Sequence, residues 1–437
     1  MDADPSPTCD EAVVLALPVA RASPLDHLAG LPLALRTVLT LQKEGIARIA
    51  LVVPRGDTAT FARVSGDRRT RVELRAVEAE SALEGVLLAR EGRPDAFVVA
   101  SHDVVVDPAI YRALRREAAK LDCSTLAAAS TRGTKRIGPF VGASAFLEHL
   151  SGGSLDAAID ELGRAGRVRR VDAGAAFAFS IATQEGRRLA FRALFDACRK
   201  PVDGIVARHL NRHISIFISK RLVELPVTPN MLSVFTFLLG VAGAYSVAQG
   251  SYFYMLLGAF LIQCNSILDG VDGELARVRF QHSKLGQWLD TVSDDASNWL
   301  FYAGLAIGSA AWPFGHWLAL LGWVSIGASA LASTLFYIEL ARLGSGDLYA
   351  LDWGFDQKPR TDALGRVLMF FRYSIKKDFA LLFFLCLAVF GVLPYALIAI
   401  AGGSIGTLIA ALSRNLRRAK TSPAPLARTA SRSSAGR

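Results

Sequence analysis

The sequence predicts two parts of different class: an N-terminal α/β domain with a doubly wound sheet, then an all-α domain of six transmembrane helices. Three observations predict this. Hydrophobic residues make up 52% of the 437 and the mean hydropathy is +0.33, too apolar for an ordinary soluble enzyme. The apolar residues are unevenly spread: residues 1–222 are mixed and charged, whereas from Met231 onward apolar runs alternate with short polar joints. Within residues 11–200, strand-like and helix-like segments alternate, the pattern of a mostly parallel sheet.

Each element has its own signal. Ala12–Ala20 (AVVLALPVA) is a short buried-strand run. Pro32–Ile46 has helical apolar spacing and ends at Gly45. Ala47–Pro54 and Asp95–Asp103 are further strands. These place the α/β domain at residues 1–200. Residues 201–229 are a juxtamembrane segment. Here Arg208, His209, Arg212, His213, Lys220 and Arg221 interleave with Ile205, Leu210, Ile214, Ile216, Phe217 and Ile218, which suits a helix lying on a membrane surface. Val227–Asn230 (VTPN) breaks that helix and starts the next.

Six candidate spans follow within residues 230–413, at 230–249, 252–275, 287–310, 314–341, 377–394 and 395–413, each near the roughly 20 residues a bilayer needs. The tail, 414–437, carries seven Arg or Lys and no acid, and reads as disordered. An even number of spans puts both ends on one side. Arg and Lys in the joints and tail make that side the cytoplasm, of the inner membrane if the source is bacterial. The net charge of +10 sits beside membrane spans, so it points to lipid headgroups and not to nucleic acid. The acidic N-terminus lacks the basic start of a secretory signal. Cys9, Cys123, Cys198, Cys264 and Cys386 show no paired spacing, so neither a disulfide framework nor a zinc site is expected.

The chemistry is concentrated at the edges of two spans. Ser266–Phe280 (SILDGVDGELARVRF) carries Asp269, Asp272, Glu274 and Arg277, and Gly286–Leu300 carries Asp290, Asp294 and Asp295. At about 100° per residue, Asp269, Asp272, Gly273, Ala276 and Arg277 share one side of a helix. Asp290 and Asp294 share a face of the next. An antiparallel hairpin through Gln281–Lys284 brings four carboxylates together near the membrane surface. Clustered carboxylates repel unless a cation binds them, and an all-oxygen set suits Mg²⁺ or Mn²⁺. Two such ions would clamp a phosphate, and acids at a membrane edge are functional by default. Gly273 and Ala276 keep that helix face bare for a nucleotide, and Arg277 can hold phosphate oxygens.

The pattern Asp269-x2-Asp272-Gly273-x2-Ala276-Arg277-x8-Gly286-x3-Asp290-x3-Asp294 resembles the signature of the CDP-alcohol phosphotransferases (CDP-alcohol phosphatidyltransferases) at every fixed position. The resemblance covers roughly residues 203–413. It implies transfer of a phospho-alcohol group from a CDP-alcohol to an acceptor hydroxyl with release of CMP, as in phospholipid or inositol-phosphate biosynthesis. It further implies Asp269, Asp272, Asp290 and Asp294 as the metal-site acids, with Asp294 also the general base. Gly273, Ala276 and Arg277 would contact the CDP moiety. Asp295 and Glu274 fall outside the pattern and read as solvated or structural. Family members are often homodimers, which is the expectation here.

Lys200–Asn230 resembles the juncture in bifunctional proteins that fuse an inositol-phosphate cytidylyltransferase to a di-inositol-phosphate phosphate synthase. The N-terminal domain is then expected to be nucleotidyltransferase-like. Such domains hold NTP phosphates on a Gly-rich loop, followed by an Arg and a Lys-Pro pair. Here the loop Leu15–Leu25 keeps Arg21 but has no glycine, and Leu31 stands in place of the Lys. Bare backbone N–H groups at unusual dihedrals are what glycine supplies. The domain is therefore expected to keep the fold without the activity; Asp103 matches the place of the family's metal Asp at a strand end, and alone it reads as an ordinary loop acid.

For the acceptor, Arg372, Lys376 and Lys377 stand at the cytoplasmic start of the fifth span. They suit a phosphate on a polyol-phosphate acceptor, or simply flank the span as positive-inside residues. A lipid alcohol is the other acceptor class. Two rival functions remain: a bifunctional enzyme that also makes its CDP-alcohol from CTP, and a divalent-cation transporter. The acids lie at one membrane face with none across the midplane, which disfavours the transporter.

Overall fold

The computed structural model describes residues 9–19, 21–91, 96–118, 120–121, 126–130, 137–142, 154–172, 174–200, 203–344 and 377–421. The α/β part opens with β1 (Glu11–Leu15), the short hairpin β2 (His27–Leu28) and β3 (Leu31–Pro32), and α1 (Leu33–Lys43). Then come β4 (Arg48–Val53), α2 (Thr58–Ser65), β5 (Glu73–Glu78), α3 (Ala82–Arg90), β6 (Phe97–Ser101), β7 (Val104–Val106) and α4 (Pro108–Ala118). β8 (Leu126–Ser130), β9 (Ile137–Gly142), α5 (Leu155–Arg164), β10 (Val168–Val171), β11 (Ala178–Ser180) and α6 (Gln184–Asp196) complete it.

The main sheet has the order β10-β8-β9-β6-β1-β4-β5. β1 pairs in parallel with both β4 and β6, so Glu11 sits between Arg48 and Phe97. β9 alone runs antiparallel, between β6 and β8. Side chains alternate across a strand. Ala12, Val14, Leu51 and Val98 accordingly join one apolar core, and Val13, Leu15, Val52 and Val99 the other. Two cores, one per face, are what a doubly wound sheet requires, and explain why β1 is apolar without a break from Ala12 to Leu15. β1 is shorter than its apolar run because Pro18 and the loop after it leave the ladder.

The helical part contains a π-helical turn at Ala207–Asn211, which the sequence pattern did not anticipate, and α7 (Arg212–Leu222). Then follow α8 (Pro229–Ala248), α9 (Tyr252–Val278), α10 (Lys284–Gly308), α11 (Gly315–Leu343), α12 (Lys377–Val389) and α13 (Ala396–Thr421). Thr228 caps α8 by accepting from the Met231 N–H at 3.3 Å, with Pro229 at the first helical position.

Among the described residues, four helices are long and apolar enough to cross a membrane: Pro229–Ala248, Tyr252–Val278, Gly315–Leu343 and Leu393–Leu416. The expected count was six. α10 has the length, 25 residues, but carries Lys284, Asp290, Asp294 and Asp295. α12 has 13 described residues. The last helix passes the expected end of the span at 413 and runs to Thr421. There Arg414 is paired at 2.6 Å with the buried Glu339 of α11, which keeps the start of the basic tail helical.

By packing, the chain forms two compact units. One comprises Met1–Pro201, Ile216–Val227 and Gly273–Gln281; the other comprises Val202–Ser215, Thr228–Asp272 and His282–Arg437. The α/β unit thus includes the end of α7 and the last turn of α9.

In the membrane unit, α8 and α10 meet through small residues. An added methyl at Gly304 would overlap the Ala244 carbonyl oxygen, and one at Gly308 would overlap that of Val247. This close crossing holds α10, and its acids, against α8. Gly304→Ala is expected to lower stability by about 1–3 kcal/mol, read as a lower thermal midpoint in detergent. Gly327→Ala, whose methyl would meet nothing within 4 Å, should leave the midpoint in place.

Candidate active site

α9 delivers Asp269 and Asp272, and α10 delivers Asp290 and Asp294. Asp269, Asp272 and Asp290 each place one carboxylate oxygen within 4.8 Å of the other two. Asp272 is buried and the others are half-buried. Three converging carboxylates, all hard oxygen donors, fit a divalent cation such as Mg²⁺ or Mn²⁺.

The surroundings fix these acids. Ser233 of α8 donates to Asp272 Oδ2 at 2.6 Å. The hairpin enters α10 through Ser283, whose hydroxyl accepts from the Gly286 N–H at 2.9 Å. A side chain at 286 would crowd Ser283 Oγ at 2.9 Å and Asn230 Oδ1 at 3.2 Å, so the glycine of the pattern serves a tight helix entry.

Asp294 stands differently. Lys377 Nζ, at the start of α12, lies 2.8 Å from Asp294 Oδ1. The structure thus joins a residue read as an acceptor-phosphate ligand to the residue read as the base. Arg372 and Lys376, its two companions in that reading, lie outside the described residues. Asp295 turns away from the cluster and accepts from the Tyr337 hydroxyl at 2.6 Å, with Trp288 edge-on to the Tyr337 ring. Its place outside the pattern is thereby explained.

The last turn of α9 holds the remaining residues of the pattern. Arg277 folds back over Gly273: a Cβ there would sit 3.3 Å from Arg277 Nη1. The same guanidinium donates to the Cys198 carbonyl at 3.4 Å. Ala276 leaves this turn a small, half-buried surface. Glu274 is not solvated: it is fully buried and accepts from the Ser219 hydroxyl at 2.6 Å.

The loop after β1 shows where its backbone donors go. The Val19 and Ala22 N–H groups pair with each other's carbonyls, at 3.1 and 2.9 Å. The Ala16 N–H bonds the Val52 carbonyl at 2.8 Å, and the Ser23 N–H bonds Asp26 Oδ2 at 2.9 Å. Pro18 and Pro24 have no N–H to offer. His102 lies buried with its ring nitrogens 3.0 Å from the Leu15 carbonyl and 3.2 Å from that of Ala22, tying the loop down. Leu31, in the place of the expected Lys, is buried in the core. Asp103 is not an exposed loop acid: it is fully buried, accepts from the Ser101 hydroxyl, and its carbonyl receives the Ile181 N–H at 2.8 Å.

Ser233, Ser219 and the Asp294 partnership of Lys377 escaped sequence reasoning. A lone hydroxyl in an apolar run has no spacing that marks it. Lys377 was visible as a charge, but its partner lies 83 positions away.

A family model described as CDP-alcohol phosphatidyltransferase matches residues 226–393. The chain is 31% identical over 328 residues to the "Bifunctional IPC transferase and DIPP synthase" of Rubrobacter xylanophilus, covering 66% of this chain and 73% of that protein. The chain belongs to the CDP-alcohol phosphatidyltransferase family. A protein of the same description from Aquifex aeolicus is 37% identical over 175 residues, covering 39% of this chain and 40% of its own length. The chain thus spans well under half the length of that second relative. Among solved structures, the inositol-1-phosphate CTP transferase of T. maritima aligns with a TM-score of 0.35 and 17% identity, covering 42% of this chain and 95% of that one.

In this family member, Ser233→Ala removes the hydroxyl that orients Asp272. It is expected to weaken divalent-cation binding about tenfold, measured by Mn²⁺ titration of the detergent-solubilised protein. Unchanged affinity would show that Ser233 does not set the carboxylate.

Proposed function

We propose that this protein is an integral membrane enzyme that moves the phospho-alcohol group of a CDP-alcohol onto an acceptor hydroxyl and releases CMP. The observation that carries this reading is the convergence of Asp269, Asp272 and Asp290 on two helices that also bear the rest of the family pattern. Asp269, Asp272 and Asp290 would hold divalent cation, with Asp294 beside them. A cation bound there would neutralise diphosphate charge and stabilise the leaving CMP.

The chain's own residues do the rest. Gly273 and Ala276 leave room for the nucleotide, and Arg277 supplies charge to its phosphate oxygens. Asp294 takes the proton of the acceptor hydroxyl. The acceptor oxygen forms a bond to the phosphorus of the phospho-alcohol group. The bond from that phosphorus to the oxygen shared with CMP breaks, and its electron pair leaves with CMP. Lys377 pairs with the Asp294 carboxylate, and a phosphate on the acceptor would find a cation there, in keeping with a polyol phosphate acceptor. The α/β and tail ends are assigned to the cytoplasmic side, from the basic joints.

The N-terminal domain is read as a nucleotidyltransferase fold that no longer turns over CTP. The internal pairing of the loop amides around Val19 and Ala22 supports this. The bifunctional alternative draws on the descriptions of the relatives, and purified full-length protein separates the two. With a CDP-alcohol and a polyol phosphate, CMP release is expected. With CTP and a polyol phosphate, no pyrophosphate is expected; pyrophosphate release would establish the bifunctional reading.

Asp294→Asn keeps the shape and removes the base. It should cut CMP release at least about a hundredfold, read by chromatography of the nucleotide products. CMP release at the wild-type rate would refute the assignment of Asp294.

A further inference from the structure

A helix ends with carbonyls that lack partners inside it. α9 ends in a Schellman turn. The Gln281 N–H bonds the Ala276 carbonyl at 2.9 Å and the Phe280 N–H bonds that of Arg277 at 3.4 Å. The residue in the left-handed position is Phe280, at φ 53°, where glycine is usual. Its ring packs on the apolar core of the α/β unit. A strained, non-glycine cap is kept where its side chain is anchored.

The turn leaves the Val278 and Arg279 carbonyls to be satisfied. Each is taken by an arginine of the α/β unit. Arg36, on α1, donates through Nη1 to the Val278 carbonyl at 3.0 Å. Its Nη2 reaches the Leu28 and Ala29 carbonyls at 2.7 and 3.1 Å, so the side chain bridges two backbone segments. Arg69 donates to the Arg279 carbonyl at 2.7 Å and is held from behind by Asp67, also at 2.7 Å.

Arg279 points the other way. Its guanidinium donates to the carbonyls of Leu222, Val223, Leu225 and Val227, which end α7 and lead to α8. The Gly30 N–H adds a bond to Glu224 at 3.2 Å. Gly30 has φ +76°, and a Cβ there would lie 2.5 Å from the Val223 carbonyl oxygen. Arg36 and Arg279 are 3% and 6% exposed, so neither serves solubility. Burial pushes the Arg36 guanidinium down to about 10, which leaves it charged at neutral pH. Positive charge at a helix C-terminus also meets the negative end of the helix dipole.

We propose that Arg36 and Arg69 are positioning residues for the transfer reaction: through them the α/β domain caps the signature helix and fixes its last turn, Gly273–Arg277. The inference rests on the reaction proposed above for its kinetic readout only.

The test uses full-length protein in detergent, comparing wild type with Arg36→Met, Arg69→Ala and Arg36→Lys. Hydrogen exchange is followed in peptides covering 273–281 and 290–300, and KM and kcat are measured for donor and acceptor. The expected result is faster exchange of 273–281 in Arg36→Met and Arg69→Ala, with 290–300 unchanged. The KM for the CDP-alcohol should rise at least tenfold, while the acceptor KM stays within threefold. Arg36→Lys should restore only part, since a single ammonium cannot reproduce the planar fork that bridges three carbonyls. Arg69 is partly exposed, so Arg69→Ala tests the same turn if Arg36→Met does not fold. Unchanged exchange of 273–281 in folded variants overturns the proposal, as does an unchanged donor KM in an active enzyme. If the wild type proves inactive on CDP-alcohols, the proposed reaction fails while the exchange result still decides the cap.

Discussion

Like charges repel, and the membrane unit holds three carboxylates within 4.8 Å of one another. At an effective dielectric of about 20, each such pair costs roughly 3–4 kcal/mol. No helix would gather them unless forced by contacts made elsewhere. Those contacts are visible. Glycines at 304 and 308 bring α10 against the backbone of α8. Ser283 and Gly286 make the hairpin turn tight enough for α10 to return beside α9. Ser233 donates to one acid and Lys377 pairs with the fourth. The acids are therefore preorganised by packing, in an arrangement of hard oxygen donors that suits a divalent cation.

The same logic runs through the α/β unit, where the scarce commodity is backbone hydrogen bonding. In the loop after β1, among the described residues, the Val19 and Ala22 N–H groups satisfy each other's carbonyls and the Ala16 N–H bonds the Val52 carbonyl. At the end of α9 the need is opposite: carbonyls lack donors, and buried guanidinium groups supply them. A guanidinium offers five N–H groups in a rigid fork, so one side chain can close several backbone ends at once. Arg279 does this for the end of α7.

Much of this architecture was legible in the sequence, for identifiable reasons. Apolar runs mark β1, β4 and β6 because both faces of these strands are covered, and helical apolar spacing marks α1. The signature was legible because its acids sit at helical spacings, which survive as sequence offsets. What could not be read depends on partners without a sequence signal. Backbone carbonyls are everywhere, so nothing in the chain announces that Arg36, Arg69 and Arg279 would each find one. Glu274 could be read no further than solvated or structural because its partner, Ser219, lies 55 positions away. Asp103 passed for a loop acid because burial is a property of the fold and not of its neighbours. Among the described residues α10 falls short of the composition of a membrane span for a physical reason: a helix that carries the acids is less apolar than its neighbours.

The central claim is that Asp269, Asp272 and Asp290 form one cation site on a family-type scaffold. Anomalous diffraction from crystals grown with Mn²⁺ tests it directly, because the signal locates the ion without assuming a role for any residue. The account predicts a strong anomalous peak within about 2.5 Å of a carboxylate oxygen of each of the three acids. Manganese bound elsewhere, with no peak among these carboxylates, would contradict it.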